Sequence, residues 1–269
     1  MEKKITVKKS ILKFTDASFI HEEDEIVAEF PLTLVVNGEE FATMVCSPDH
    51  LDELVIGFLA SEGLIRFKSD IKNLSIDESR GFAYVDLHAK QPINQQYFSK
   101  RFIGSCCGKS RQFYLHNDVK TAKTAITNIN ISVKQCFHLM KNMQNGSIIF
   151  QKTGGVHNAA ICSNSEIIVA RSDIGRHNAL DKLYGYCLLQ QIPVRDKMIA
   201  FSGRVSSEVL LKVSKIGVGI LLSKSAPTDL ALQLAEDLNI TVVGFIRGNK
   251  LNVYTHPERI LEADQPNYI

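Results

Sequence analysis

The chain has no excess of charge of either sign. Among its 269 residues, 31 Lys and Arg stand against 29 Asp and Glu, a formal net charge of +2. It therefore lacks the global basic field of a nucleic-acid binder, and any preference for anions must come from local clusters. No apolar run is long enough to span a bilayer, and Met1-Glu2-Lys3-Lys4-Ile5 lacks the apolar stretch of a secretory signal. The expected compartment is the cytoplasm, with no membrane and no nucleic acid as partner. No internal repeat or low-complexity stretch is present. Hydrophobic residues at 45% and charged residues at 22% exclude the disordered and fibrous classes. The six cysteines, at 46, 106, 107, 136, 162 and 187, include no C-x-x-C pair, so no structural metal is expected. They are expected as thiols, and those outside the adjacent pair can pack as small hydrophobes.

What is present falls into two patterns. The first part reads as a small α+β module. Glu25–Phe30, Leu32–Val36 and Phe41–Val45 are extended, with a break at Pro31, and Asn37-Gly38 is a hairpin signal because both residues tolerate positive φ. A helix follows, with Ser47 as its cap, Pro48 in its first turn, a stripe of Leu51, Leu54, Val55, Phe58 and Leu59, and Gly63 at its end. Two more strands are expected at Ile71–Ile76 and Gly81–Leu87.

A helix over Ser132–Met143 opens the second part, where strands alternate with helices. The expected strands are Ile148–Gln151, Ala159–Cys162, Ile167–Ala170, Met198–Phe201, Gly219–Leu222 and Thr241–Phe245. Three helical stripes lie between them. They are Leu180, Leu183, Tyr184, Cys187 and Leu188; Val209, Leu210, Val213 and Ile216, closed by Gly217; and Leu230, Leu234 and Leu238, closed by Asn239. Such alternation predicts a mainly parallel sheet with helices packed on it. The expected division is an N-terminal domain over 1–130, with a cysteine loop at about 100–117, and a C-terminal α/β domain over 131–269.

Two places carry chemistry. The first is Gly104-Ser105-Cys106-Cys107-Gly108-Lys109-Ser110-Arg111. No acidic residue occurs from Lys90 to Asn117, while Lys90, Lys100, Arg101, Lys109 and Arg111 are basic. A positive surrounding favours thiolate, the nucleophilic form, and the flanking glycines let the backbone turn sharply. The bland alternative is an accidental pair in an exposed loop; a vicinal disulfide would be a strained redox state.

The second place is a set of cationic loops, each directly after a strand: Asp173-Ile174-Gly175-Arg176-His177-Asn178, Ser202-Gly203-Arg204-Val205-Ser206-Ser207, Ser223-Lys224-Ser225-Ala226-Pro227-Thr228 and Arg247-Gly248-Asn249-Lys250. In an α/β sheet such loops gather at the carboxyl ends of the strands, where free helix N–H groups, serine hydroxyls and cations suit a phosphorylated ligand. Thr153-Gly154-Gly155-Val156-His157 adds a glycine pair and an imidazole. Taken singly, the serines are caps, the cations solvated and the histidines structural.

These stretches, with Asn252-Val253-Tyr254-Thr255-His256-Pro257, resemble the formate dehydrogenase accessory sulfurtransferase (FdhD-type) family. The resemblance covers the second domain, the cysteine loop and the Pro31 and Ser47–Gly63 regions. It implies a cytidine-deaminase-like three-layer C-terminal domain without deaminase chemistry. It also implies a sulfur carrier, in which a loop cysteine takes persulfide sulfur from a cysteine desulfurase. The sulfur passes to the molybdenum cofactor in its bis-guanine-dinucleotide form, for formate dehydrogenase. The family loop reads Cys-Gly-x-Cys-Gly. Cys107 takes the first cysteine position, Ser110 replaces the second, and Cys106 is extra. The family's cofactor-contacting stretch falls on Phe245-Ile246-Arg247-Gly248-Asn249-Lys250, with Arg176, Arg204 and Lys224 as further candidate contacts.

Three rivals are weighed against this. A zinc deaminase needs H-x-E, but Ala159 stands two residues after His157. A cofactor-binding chaperone would shelter the cofactor without moving sulfur. A thiol hydrolase lacks a local signature. No heptad specifies an oligomeric state, although an exposed apolar face on the first domain could make a homodimer.

Overall fold

Asn37 and Gly38 both take positive φ, +50° and +84°, and close a hairpin between β3 (Phe30–Val36) and β4 (Glu39–Cys46). A computed structural model describes residues 4–88, 101–103 and 121–263 of the chain. Ahead of this hairpin lies a longer one, β1 (Thr6–Thr15) with β2 (Ser18–Val27). After it come α1 (Leu51–Ser61), β5 (Ile71–Asp77), β6 (Phe82–Leu87) and β7 (Arg101–Ile103). The first large sheet has the order β5-β6-β3-β4-β7.

The remaining described elements are α2 (Val133–Asn145), α3 (Ile148–Thr153), β8 (His157–Cys162), β9 (Ile167–Asp173), α4 (Arg176–Leu189), β10 (Met198–Phe201), α5 (Ser207–Ile216), β11 (Ile220–Ser223), α6 (Asp229–Asp237), β12 (Thr241–Arg247) and β13 (Lys250–Val253). They form a six-stranded sheet of order β13-β12-β11-β10-β8-β9. β10, β11 and β12 are mutually parallel, and β8 is antiparallel to both β10 and β9. It follows that β9 also runs with β10, and four strands end at one edge.

Alternation of side chains along these strands serves two apolar layers. Ala160, Cys162, Met198, Ala200, Ile220, Leu222 and Val243 meet α2 through Cys136, Leu139, Met140 and Met143. Ala159, Ile161, Ile199, Phe201, Leu221 and Val242 face the other way, toward α4, α5 and α6. This second cluster continues through α1 to Leu32, Leu34, Val36, Met44, Ala83 and Val85 of the first sheet. Helix α1 is buried on almost all sides, which suits a helix packed between a sheet and a second helix.

The α1–α4 contact is close enough to exclude any side chain at the crossing. A Cβ on Gly57 would lie 1.8 Å from the Asp181 carbonyl oxygen, and one on Gly185 would lie 1.9 Å from that of Glu53. Polar groups flank the crossing. Asp173 and Lys182, both fully buried, pair at 2.8 Å, and Lys182 also meets Asp49 at 2.8 Å. Lys212 pairs with Asp181 at 2.6 Å, and Arg171 grips the Glu53 carboxylate through Nε and an η nitrogen.

Several sequence expectations need correction. Ile148–Gln151 is helical, not a strand: Ser147 Oγ accepts the Phe150 N–H at the start of α3, and Gly154 at φ +62° ends it. A short apolar run fits either structure, and the cap and the glycine decide. Pro31 lies inside β3 and does not break it. Ser47 does not cap α1, whose N-cap is His50; its N–H donates instead to Asp173 Oδ2 at 3.0 Å, and its Oγ accepts from the Ile174 N–H. In α6 Ala231 and Ala235 are fully buried and Leu234 and Leu238 pack against the same core as expected, while Leu230, the first member of the expected stripe, is exposed. The hairpin β1–β2 is unanticipated because its turn, Asp16-Ala17, carries positive φ without a glycine. The stretch expected as a cysteine loop begins with a strand, β7, parallel to β4.

Gly57→Ala is expected to destabilise the protein by about 3 kcal/mol, because overpacking at a helix crossing forces the helices apart. Urea denaturation followed by circular dichroism checks this.

Candidate functional site

Topology alone brings the cationic loops together. The carboxyl ends of β9, β10, β11 and β12 carry Arg176, Arg204, Lys224 and Arg247, with Lys250 across the β12–β13 turn. The segment Thr153–His157 enters the same edge, because β8 runs the other way and begins there. The sequence expectation that four loops share one face is borne out by the strand directions.

The loops are laced to one another. Lys224 N–H donates to the Phe201 carbonyl at 3.1 Å, and Val205 N–H to that of Ala226 at 3.0 Å. Ser223 Oγ donates to the Gly203 carbonyl at 2.9 Å, and Ser225 Oγ to that of Ser202 at 3.1 Å. Ser202 Oγ accepts from the Asn158 N–H, and Ser206 Oγ from the Val209 N–H. The Ser223 and Ser225 hydroxyls spend their protons on loop carbonyls, which corrects the expectation that these two stand ready as donors to a ligand, whereas Ser202 and Ser206 accept backbone N–H groups. The cations differ. Among the described residues, Arg204, Lys224, Arg247 and Lys250 meet no carboxylate, and Arg204, Arg247 and Lys250 are exposed.

A β-bulge near the end of β12 aims the last candidates. The register with β13 shifts between Gly244 and Arg247, and Phe245 takes φ +52° with its ring 38% exposed. Its N–H donates to the Ser225 carbonyl at 3.2 Å. The Arg247 guanidinium lies 5.7 Å from the Phe245 ring centre, and its Nε donates to the Lys224 carbonyl at 2.9 Å. Bulges of this kind re-aim side chains. An aromatic face with a cation beside it can stack a planar base and hold a phosphate. Ile246 is different: at 2% exposure its side chain belongs to the core under α2. Gly248, at φ +55°, and Asn249 form the turn.

The remaining sequence candidates divide between site and scaffold. Asp173 accepts N–H groups from Ser47 and Gly175 and the Asn178 amide, and Asn178 also donates to the Val45 carbonyl. Burial pushes the Asp173 carboxyl up, against the pull of Lys182. Burial alone would lower Lys182, but Asp173 and Asp49 outweigh it and hold the ammonium above its ordinary value. Much of the 173–182 motif is therefore a clamp between the two sheets. His177 faces Glu208 at 3.0 Å. Gly155 admits Val27, whose Cγ1 would lie 2.7 Å from a Cβ there, so this glycine seats the first hairpin.

Cys106 and Cys107 lie outside the described residues. Cys46, Cys136, Cys162 and Cys187 are buried free thiols, as expected. Burial pushes Cys136, Cys162 and Cys187 up to about 12, and Cys46 higher still, so none of the four supplies a thiolate near neutral pH. Among the described residues no cluster of His, Cys, Asp and Glu could hold a metal ion, and no helix is long and apolar enough to cross a membrane.

Burial, aided by the Arg176 charge, holds His157 below its ordinary value near 6.5, so the fold favours neutral imidazole. The unfolded chain then binds more protons below that pH, and stability falls as pH drops through it. His157→Asn is expected to lose part of this acid sensitivity, measured as a smaller drop in unfolding free energy between pH 7.5 and pH 5.

A profile of the FdhD/NarQ family matches residues 27–261. The chain is 61% identical over 260 residues to a protein of Bacillus licheniformis named sulfur carrier protein FdhD, covering 97% of this chain and 99% of that one. It is 59% identical over 262 residues to the protein of that name from Bacillus subtilis, covering 97% and 100%. A crystal structure from Desulfotalea psychrophila, described as a formate dehydrogenase accessory protein, superposes with a TM-score of 0.77 at 22% identity, covering 96% of this chain and 100% of that one; this likeness bears on the fold alone. With so much of its length matched by both the family profile and close relatives, the chain belongs to the FdhD/NarQ family.

Proposed function

We propose that this protein is a sulfur carrier for formate dehydrogenase maturation, acting through Cys107. Its relatives are named as sulfur carriers. The single observation that carries the reading is the gathering of Arg176, Arg204, Lys224, Arg247 and Lys250 on one sheet edge. A dinucleotide form of the molybdenum cofactor is rich in phosphate, and this edge suits such a cargo. Phe245 and Arg247 offer a guanine base a stacking face. The cofactor is here a bound substrate, in its bis-guanine-dinucleotide form. The fold reading that goes with it is a cytidine-deaminase-like C-terminal layer with no H-x-E.

Elimination supports the thiol. With the other four cysteines sealed, a carrier must use the pair at 106 and 107. The lead-in strand also favours it. Ile103 pairs with Met44, three residues before Ser47, which touches Asp173 and Ile174 at the cationic edge. Cys107 is four residue steps beyond Ile103, at most about 14 Å of chain.

The transfer onto the carrier balances without an external oxidant. Cys107 thiolate attacks the terminal sulfur of a cysteine desulfurase persulfide. The donor S–S bond breaks, the donor cysteine leaves as thiolate, and a new S–S bond forms on Cys107. The acid-free, basic stretch around Cys107 favours the attacking thiolate. Arg176, Arg204, Lys224 and Lys250 hold the phosphates of the acceptor.

Incubation with a cysteine desulfurase and cysteine is expected to add one sulfur atom to Cys107, seen by peptide mass spectrometry. Cys107→Ser should abolish both this gain and formate dehydrogenase activation in cells, whereas Cys106→Ser should retain most of each. Sulfur-free protein that still activates the enzyme would favour the chaperone alternative. Replacing Arg204, Lys224 or Lys250 with Ala should weaken GDP binding, measured by calorimetry, about fivefold each (~1 kcal/mol). Added salt should weaken the wild type in the same direction.

A further inference from the structure

Two prolines and a glycine shape a cleft at one end of the first sheet. It has a volume of about 500 Å³ and lies open to solvent. Phe30 and Pro31 at the start of β3, Pro48 after β4 and Val7 of the first hairpin give it apolar walls. Lys4, Glu29 and Arg80 supply its charges.

The cations stand on a fixed frame. In the turn between β5 and β6, Ser79 Oγ donates to Asp77 Oδ1 at 2.6 Å, and the Arg80 N–H donates to the same oxygen at 3.1 Å. Gly81, at φ +74°, lies so close to β3 that a Cβ there would sit 2.5 Å from the Pro31 carbonyl oxygen. Its own carbonyl accepts the Thr33 N–H at 2.8 Å. Lys4 is set by its neighbour Ile5, whose carbonyl accepts the Ala28 N–H at 2.8 Å. Lys4, Glu29 and Arg80 are exposed, and among the described residues none of the three makes an ion pair.

Sheet topology puts this cleft beside the route to the thiol pair. β3 begins where β4 ends, with Phe30 opposite Cys46 and Pro31 opposite Val45. β7 runs parallel to β4 on its other side, with Ile103 level with Met44, so β7 leaves the sheet at this same end. Only β4 lies between β7 and β3, which sets those two strands about 10 Å apart.

A proline offers no N–H, so the walls present apolar surface with little to hydrogen-bond. Clefts of this volume suit a small ligand or a short peptide segment. An open cleft covers a free small molecule poorly, whereas a protein segment is held there by the rest of its own surface. Two unpaired cations against one carboxylate leave an excess of positive charge, so the complementary segment carries acidic side chains beside an apolar one. We propose that this cleft seats an acidic, partly apolar segment of the protein that donates sulfur to the chain, close to the strand that leads to Cys106 and Cys107. On the sulfur-carrier reading, on which this rests, that donor is a cysteine desulfurase.

Sulfur uptake by the full chain, followed by mass spectrometry, tests this with two donors: a cysteine desulfurase supplied with cysteine, and free cysteine persulfide. Lys4→Glu/Arg80→Glu is expected to raise the half-saturating desulfurase concentration at least about tenfold, with the plateau rate near that of wild type. Glu29→Lys should lower that concentration about threefold, because it removes the carboxylate from the cleft. Uptake from cysteine persulfide, which needs no docking, should be the same in all three proteins, as should the thermal melt and GDP binding. A Lys4→Glu/Arg80→Glu variant that keeps the wild-type half-saturation overturns the proposal. So does an equal loss with both donors, which would place the effect of the cations on the thiol itself. A wild type loaded by cysteine persulfide but not by the desulfurase overturns it too and leaves the thiol chemistry standing. A wild type that gains no sulfur from either donor sinks the sulfur-carrier reading, and the docking site falls with it.

Discussion

The crossing of α1 over α4 is the constraint on which the rest of the molecule depends. Gly57 and Gly185 let two backbones touch, and that contact makes one continuous core out of two sheets. Around it sit buried and largely buried ion pairs: Asp173 with Lys182, which also meets Asp49, Asp181 with Lys212, and Glu53 with Arg171. Buried pairs of this kind add little net stability over an apolar contact, yet losing one partner is costly. They therefore serve to hold one relative placement of the sheets.

That placement has a functional consequence. Ser47 and Val45, at the end of β4, are bonded to Asp173 and Asn178, at the start of the cationic edge. β4 also carries β7, the strand that leads toward the thiol pair. The clamp thus connects the strand that leads toward Cys106 and Cys107 to the cationic loops at the carboxyl ends of β9, β10, β11 and β12. Lacing among the loops after β10, β11 and β12 extends the same rigidity along the edge, so the cations are presented from a fixed frame.

The division of labour within the motifs is sharper than their composition suggests. In the 173–182 stretch, Asp173, Asn178, Asp181 and Lys182 are buried scaffold, while Arg176 opens α4 just beyond the carboxyl end of β9. In the serine-rich turns the Ser223 and Ser225 hydroxyls donate to backbone carbonyls, while Arg204 and Lys224 meet no carboxylate among the described residues. A polar residue next to a cation need not share its task.

The sequence by itself determined most elements of the six-stranded sheet, because a strand after a turn and a glycine after a helix are local signals. Met198–Phe201 and the Gly217 helix end follow from local chemistry alone. It also singled out Cys106 and Cys107, the adjacent pair set among glycines and cations. Tertiary structure decided the rest. Whether Ile148–Gln151 is helix or strand, whether Leu230 of α6 is covered, and whether Ser47 caps a helix or bonds Asp173 all depend on distant neighbours. So does the sharing of one edge by four loops, which is a property of strand direction. Long-range pairing sets strand direction, and a local residue pattern does not carry it.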